Sequence, residues 1–233
     1  MADSIARRVF PASCVLCETR GMALCKPCRD DAMATLSFTC SQCAIPLRSH
    51  NAGQICGACL RRAPAFDATI AAAAYDAPFD SLVRALKYRA QLSLAPLLAE
   101  LIAARIAQTN RDEAIDVLIP VPLSRERLGA RGFNQALELA RPLAKQLGVA
   151  VDAASVLRIR DTPPQAALPY DERRKNMRHA FAVRDARRAA LQGLCVGVVD
   201  DVMTTGATLN EFAATLKRAG AVRVVNLVVA RTP

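Results

Sequence analysis

Tryptophan is absent, and phenylalanine and tyrosine together make up only 4% of the 233 residues. That scarcity counts against a protein that grips a single strand by stacking successive bases on aromatic rings. No apolar run approaches the roughly 18 residues of a membrane-spanning helix. The opening stretch "MADSIARRVFPASC" carries Arg7, Arg8 and a small residue before Cys14, but it lacks the apolar segment of an export signal. A cytoplasmic chain is the expectation. Histidine occurs only at His50 and His179, so a general base is not obvious.

Apolar residues are plentiful at 52%, enough for a core and against wholesale disorder. Alanine is abundant, which points to a helix-rich, closely packed α/β chain. The formal charge is +10, suited to an anionic partner such as phosphates, nucleic acid or acidic lipid. Eight of the nine cysteines fall into four C-x-x-C pairs: Cys14/Cys17, Cys25/Cys28, Cys40/Cys43 and Cys56/Cys59. Two intervening residues let both thiolates reach one ion at tetrahedral geometry, so eight ligands predict two structural four-sulfur Zn²⁺ sites. Sequential grouping (14/17/25/28 and 40/43/56/59) closes the shortest loops, and an interleaved cross-brace stays open. Each such site carries −2, which lowers the formal +10 to about +6. The ninth, Cys195, lies inside an apolar strand and reads as a small buried hydrophobe.

The Cys-rich segment runs to about Arg62, where "RRAPAF" and a shift in composition mark a boundary. Beyond it, strands are expected at 68–76, 116–122, 154–160, 194–201 and 222–231. Helices are expected at 79–89, 92–108, 131–148 and 207–220. Pro142 predicts a kink or break in the third helix. Gly148 and Gly220 read as helix stops. Residues 161–180 are polar, proline-rich and basic, the signature of a long loop, either a functional lid or a disordered segment. Strands alternating with helices imply a mostly parallel sheet flanked by helices.

The stretch "VVDDVMTTGATL" (198–209) carries the chemistry. Asp200 and Asp201 follow a buried strand, and "MTTGAT" opens a helix. In open α/β sheets, ligands bind at the carboxyl ends of strands. A helix start there offers backbone N–H groups to a phosphate. Gly206 permits close approach, and Thr204, Thr205 and Thr208 add hydroxyls around Ala207. Two adjacent carboxylates would repel a bare anion. They make sense as acceptors for sugar hydroxyls, with Mg²⁺ neutralising the rest.

This pattern of apolar run, two acids and Thr/Gly-rich turn resembles the phosphoribosyl-pyrophosphate (PRPP) motif of type I phosphoribosyltransferases. With "LKYR" (86–89), "PVPLSRERLGARGFNQ" (120–135) and "LRIRDTPPQAALPYDERRKNM" (157–177), the whole chain resembles the ComF family of competence-associated proteins. The resemblance implies a zinc module over 1–62 and a type I phosphoribosyltransferase-like domain over 63–233, with a hood loop at about 161–180. It implies that Asp200 and Asp201 contact ribose hydroxyls and that Thr204, Thr205, Gly206, Ala207 and Thr208 cradle the 5′-phosphate. Arg131, in the loop reaching 131–133, would hold the leaving pyrophosphate. The reaction would be displacement of pyrophosphate at ribose C1 by an unidentified nucleophile, with PRPP and Mg²⁺.

The alternative is a non-catalytic protein that handles single-stranded DNA during transformation, with a sensing or vestigial pocket. Residues 158–188 carry a net +5 and 123–131 a net +2, charge that suits a polyphosphate or a nucleic-acid backbone. Tyr88, Phe133 and Tyr170 are the nearby stacking candidates. A third reading makes the zinc module a dock for a helicase-like competence protein. His179, in the hood, reads as an ordinary surface histidine, and His50 as an exposed residue or a spare donor in the zinc module.

Overall fold

This computed structural model describes residues 13–36, 38–47, 54–109, 114–160, 177 and 179–233. Apolar runs pair into one sheet covered on both faces. Its strands are β1 (Ala68–Ala74), β2 (Val117–Pro120), β3 (Ala150–Val151), β6 (Cys195–Met203) and β7 (Arg223–Arg231). They lie in the order β1-β7-β6-β2-β3, and every pairing is parallel. Two short strands, β4 (Val156–Arg158) and β5 (Phe181–Val183), form a separate antiparallel pair.

The helices are α1 (Lys26–Ala34), α2 (Gly57–Arg61), α3 (Phe79–Arg89), α4 (Leu94–Gln108), α5 (Arg125–Arg131), α6 (Gln135–Leu147) and α7 (Ala207–Arg218). One apolar cluster joins the sheet to α1, α3, α4 and α6 through Ala32, Leu86, Leu98, Ile102, Leu139 and Leu143. The other joins it to α7, the β4–β5 pair and the second cysteine group through Leu209, Phe212, Phe181, Cys40 and Cys43. Phe181 and Phe212 meet edge to face, with ring centres 4.9 Å apart. The Cys-rich segment therefore contributes to both layers. It is also hydrogen-bonded to the sheet and to α4: Thr35 Oγ1 accepts from the Ala74 N–H at 3.1 Å, and Arg105 of α4 donates to the Met33 carbonyl at 2.5 Å.

Four local expectations change. The strand expected at 194–201 continues to Met203, because β7 keeps pairing with it as far as Met203 and Arg231. Both acids thus lie inside the strand rather than at its last two positions. The helix expected over 131–148 becomes two. Gly132, at φ 79°, ends α5, and the Asn134 side chain caps α6 by accepting from the Ala136 N–H. Pro142 does not break α6, which runs unbroken to Leu147. The missing proline N–H frees only the Glu138 carbonyl, away from the buried face of Ala136, Leu139, Ala140, Leu143 and Ala144. The two-residue β3 was too short to show any period.

Candidate functional site

The cysteines form two groups, Cys14/Cys17/Cys25/Cys28 and Cys40/Cys43/Cys56/Cys59, with the sulfurs of each group all within 4.8 Å of one another. The sequential grouping is the one found, and the interleaved alternative is excluded. Cys17 and Cys25 sulfurs are 3.5 Å apart, and those of Cys43 and Cys56 are 3.7 Å apart. The edge of a tetrahedron with Zn–S bonds of 2.3 Å is about 3.8 Å, so both groups fit structural zinc.

Each group is built the same way. A tight knuckle follows the first pair, closed by a residue with positive φ, Glu18 at 63° or Ala44 at 54°. Cys25 or Cys56 then caps a helix, α1 or α2. The Cys25 N–H points at the Cys14 sulfur, and the Cys56 N–H at the Cys40 sulfur. Burial pushes the Cys14 thiol up, but backbone hydrogen bonds outweigh it and bring it to about 6. Neighbouring sulfurs drive Cys28 strongly upward. Such crowded thiols shed some protons readily and hold others, a conflict that a dication removes.

The two acids occupy the carboxyl end of β6, between β2 and β7. Successive strand residues point to opposite faces. Asp201 is 3% exposed, and its Oδ2 lies 2.5 Å from the Lys87 ammonium of α3. The contact is a largely buried ion pair. Asp200 is half-buried and accepts the Asp201 N–H at 2.9 Å. Burial raises the Asp200 carboxyl, and the adjacent Asp201 charge raises it further, to about 8. At Asp201 burial acts upward too, but Lys87 outweighs it and holds the carboxyl below its ordinary range. Lys87 is lowered by burial and raised by Asp201, with a net rise. One acid is therefore neutralised by a lysine, and the other remains partly open at the sheet end.

The turn after β6 positions the start of α7. Gly206 is left-handed at φ 76°, and a Cβ there would come within 2.6 Å of Met203 Cε. The carbonyls of Met203 and Thr204 both accept from buried Arg231, at 3.3 and 2.6 Å. In a trans peptide the N–H points away from its own C=O, so the Thr204 and Thr205 N–H groups face the opposite way. Among the described residues no acceptor is found for the N–H groups of Thr204, Thr205 or Gly206. Ala207 N–H is held loosely by Thr205 Oγ1 at 3.4 Å, and Thr208 opens the helix beside it. This arrangement can receive an anion.

Arg131 ends α5, in the connection that leaves β2 beside β6. Its guanidinium lies 5.6 Å from the centre of the Tyr88 ring and also bonds Gln135 Oε1. Tyr88 follows Lys87 in α3, the residue that pairs with Asp201. The loop expected after residue 122 and reaching 133 is mostly α5, whose N-cap Ser124 accepts from the Arg127 N–H. Asn134 Nδ2 donates to the Val121 carbonyl at 3.1 Å and ties the two ends of that connection together.

Most of the hood, with Tyr170, lies outside the described residues, as does His50. His179 is exposed, at φ 55°, and its N–H donates to Glu211. Cys195 is buried in β6. Phe133 is half-buried, whereas Tyr88 is 72% exposed. Lys87 and Arg231 escaped sequence reasoning. Nothing local in "LKYR" shows that its lysine meets Asp201, and nothing in the last strand shows that its closing residue, Arg231, reaches the second cysteine group.

The double zinc ribbon domain family matches residues 5–60. The DNA utilization protein YhgH of Salmonella typhi is 33% identical over 221 residues, covering 92% of this chain and 94% of that protein. Competence protein F of Haemophilus influenzae is 31% identical over 184 residues, covering 78% and 79%. Competence protein ComFC of Bacillus subtilis is 35% identical over 98 residues, 42% of this chain and 36% of that one. Among solved structures, a glutamine PRPP amidotransferase from B. subtilis overlaps with a TM-score of 0.39 at 20% identity, over 59% of this chain and 26% of the other. Among the described residues no helix is long and apolar enough to cross a membrane. The full-length relatives, together with the two ribbon sites, place this chain in the ComF family of competence and DNA utilization proteins.

Proposed function

We propose that this protein binds PRPP with Mg²⁺ at the end of β6 and is a phosphoribosyltransferase-like member of the DNA-handling machinery of natural competence. The observation that carries this reading is the pairing of Asp200 and Asp201 with an outward-facing N–H turn on adjoining residues. A 5-phosphorylated ribose needs both features: donors for its phosphate and acceptors for its hydroxyls. Asp200 accepts from the sugar hydroxyls, and Asp201, balanced by Lys87, keeps the local charge low enough for a diphosphate to approach. Thr204 to Thr208 hold the 5-phosphate. Arg131 binds the diphosphate, and Tyr88 steadies its guanidinium. Mg²⁺ bound with PRPP would supply positive charge to the diphosphate, beside the carboxylate of Asp200.

If the site turns over, a nucleophile forms a bond to ribose C1 as the C1–O bond to pyrophosphate breaks, and pyrophosphate leaves with the electron pair. The chain contributes position, charge complementarity and exclusion of water. The names of the relatives support the DNA context.

The second reading is a binding protein that handles single-stranded DNA without turnover. It is favoured by exposed Tyr88, which shares a depression of about 360 Å³ with Ser81, Arg84 and Arg89. PRPP with Mg²⁺ should raise the melting temperature of wild type and leave Asp200→Asn unmoved. An unmoved wild type refutes the PRPP reading. Pyrophosphate release across a panel of bases and amines then separates turnover from binding. Single-strand affinity that falls steeply with salt supports the second reading, and a flat response removes it.

A further inference from the structure

Arg231 closes β7 and is only 5% exposed. A guanidinium buried to this degree needs acceptors for its N–H groups. Carbonyls supply them. Nε donates to the Cys43 carbonyl at 2.9 Å, while Nη1 donates to those of Thr204 at 2.6 Å, Met203 at 3.3 Å, and Thr232. One planar fork therefore joins the knuckle of the second cysteine group to the turn that opens α7. The link is backed by packing, since Cys40, Cys43 and Ala44 share an apolar cluster with Met203, Ala207 and Leu209.

The first cysteine group is placed differently. Leu16 and Leu24 of that group pack on the opposite cluster, with α3 and α4. Its neighbour Arg29 reaches Glu100 of α4 at the surface. Among the described residues no hydrogen bond connects it to the 203–207 turn.

We propose that Arg231 makes the second cysteine site a working part of the ribose-phosphate pocket. The zinc-held knuckle fixes the Cys43 carbonyl, that carbonyl orients the fork, and the fork turns the Met203 and Thr204 carbonyls inward. The N–H groups of Thr204 and Thr205 are thereby presented to the ligand. Arg231 is a positioning residue that touches no ligand atom. The inference rests on the reading of this turn as a phosphate cradle. It also gives the two zinc sites unequal roles: the second shapes the pocket, whereas the first braces α1 against the opposite layer.

The test is calorimetric titration of the full chain with PRPP and Mg²⁺, with zinc content measured on each sample. Arg231→Gln should keep two zinc ions and bind PRPP about 10- to 100-fold more weakly, the range for loss of a residue that orients a site from behind. Arg231→Lys, which keeps the charge without the fork, should recover only part of the loss. Cys56→Ser, at the second site, should weaken PRPP binding at least about tenfold more than Cys17→Ser at the first. Should Arg231→Gln prove unstable, Arg231→Lys and the two cysteine variants decide the matter. Wild-type affinity retained in Arg231→Gln, or equal losses in Cys17→Ser and Cys56→Ser, overturns the link while leaving the pocket intact. No binding by wild type overturns both.

Discussion

Removing the Lys87 ammonium tests how the paired acids are tolerated. Lys87 and Asp201 stand 2.5 Å apart, with side chains 23% and 4% exposed. At an effective dielectric of about 20, the attraction at that distance is about 6 to 7 kcal/mol. Desolvation offsets several kcal/mol of this for each ion, so the intact pair adds little net stability. Breaking it is another matter. Lys87→Met leaves Asp201 buried, charged and beside Asp200, for which the expected loss is about 3 kcal/mol, the lower end for buried pairs because the lysine is partly wet. Asp201→Asn should cost less, about 1 to 2 kcal/mol, since Lys87 then still faces Asp200. The double variant should be more stable than Lys87→Met alone, with a coupling of at least about 1 kcal/mol. In a chain of this size 3 kcal/mol corresponds to roughly 6 to 12 °C in melting temperature. Urea unfolding of the zinc-loaded proteins measures all four corners of the cycle. Additive losses, with coupling under about 0.5 kcal/mol, would refute the assignment of Lys87 as the counter-charge.

The Asp200 carboxyl, pushed up to about 8, predicts a pH slope. Between an unfolded value of about 3.9 and the folded one, the native state holds a proton that the unfolded state has lost. Stability without ligand should therefore fall as pH rises across that window, and Asp200→Asn should flatten the fall. The same pH slope in wild type and Asp200→Asn, both zinc-loaded, would contradict this. The lowered Asp201 and raised Lys87 act outside the window, in acid and in strong base respectively.

Gly197→Ala would place a Cβ 2.6 Å from Leu118 Cδ2 and 3.0 Å from Ile115 Cγ2. A loss of about 1 to 3 kcal/mol is expected, read by urea unfolding. Stripping zinc with a chelator should destabilise both layers of the sheet, because Cys-rich residues pack in each. A melting curve unchanged after two zinc ions are removed would contradict that packing.

The cysteine sites were legible because C-x-x-C spacing is local chemistry, and so was the order of β6, turn and α7. What escaped depends on contacts between distant residues. Lys87 and Asp201 are brought together by α3 packing on the sheet, and Arg231 meets Cys43 only because the second cysteine group lies over the α7 face. The boundary near Arg62 is visible in composition, yet the core continues across it through Cys40, Cys43 and Phe66. Sequence composition records who is near in the chain, and packing follows shape.

The central claim is that the end of β6 receives a 5-phosphorylated ribose. Calorimetric titration with PRPP and Mg²⁺ tests it most directly, with ribose 5-phosphate as competitor. The structure predicts one PRPP per chain, competition by ribose 5-phosphate, and loss of binding in Asp200→Asn. Binding that survives in Asp200→Asn at wild-type strength, or no heat in wild type, would contradict it.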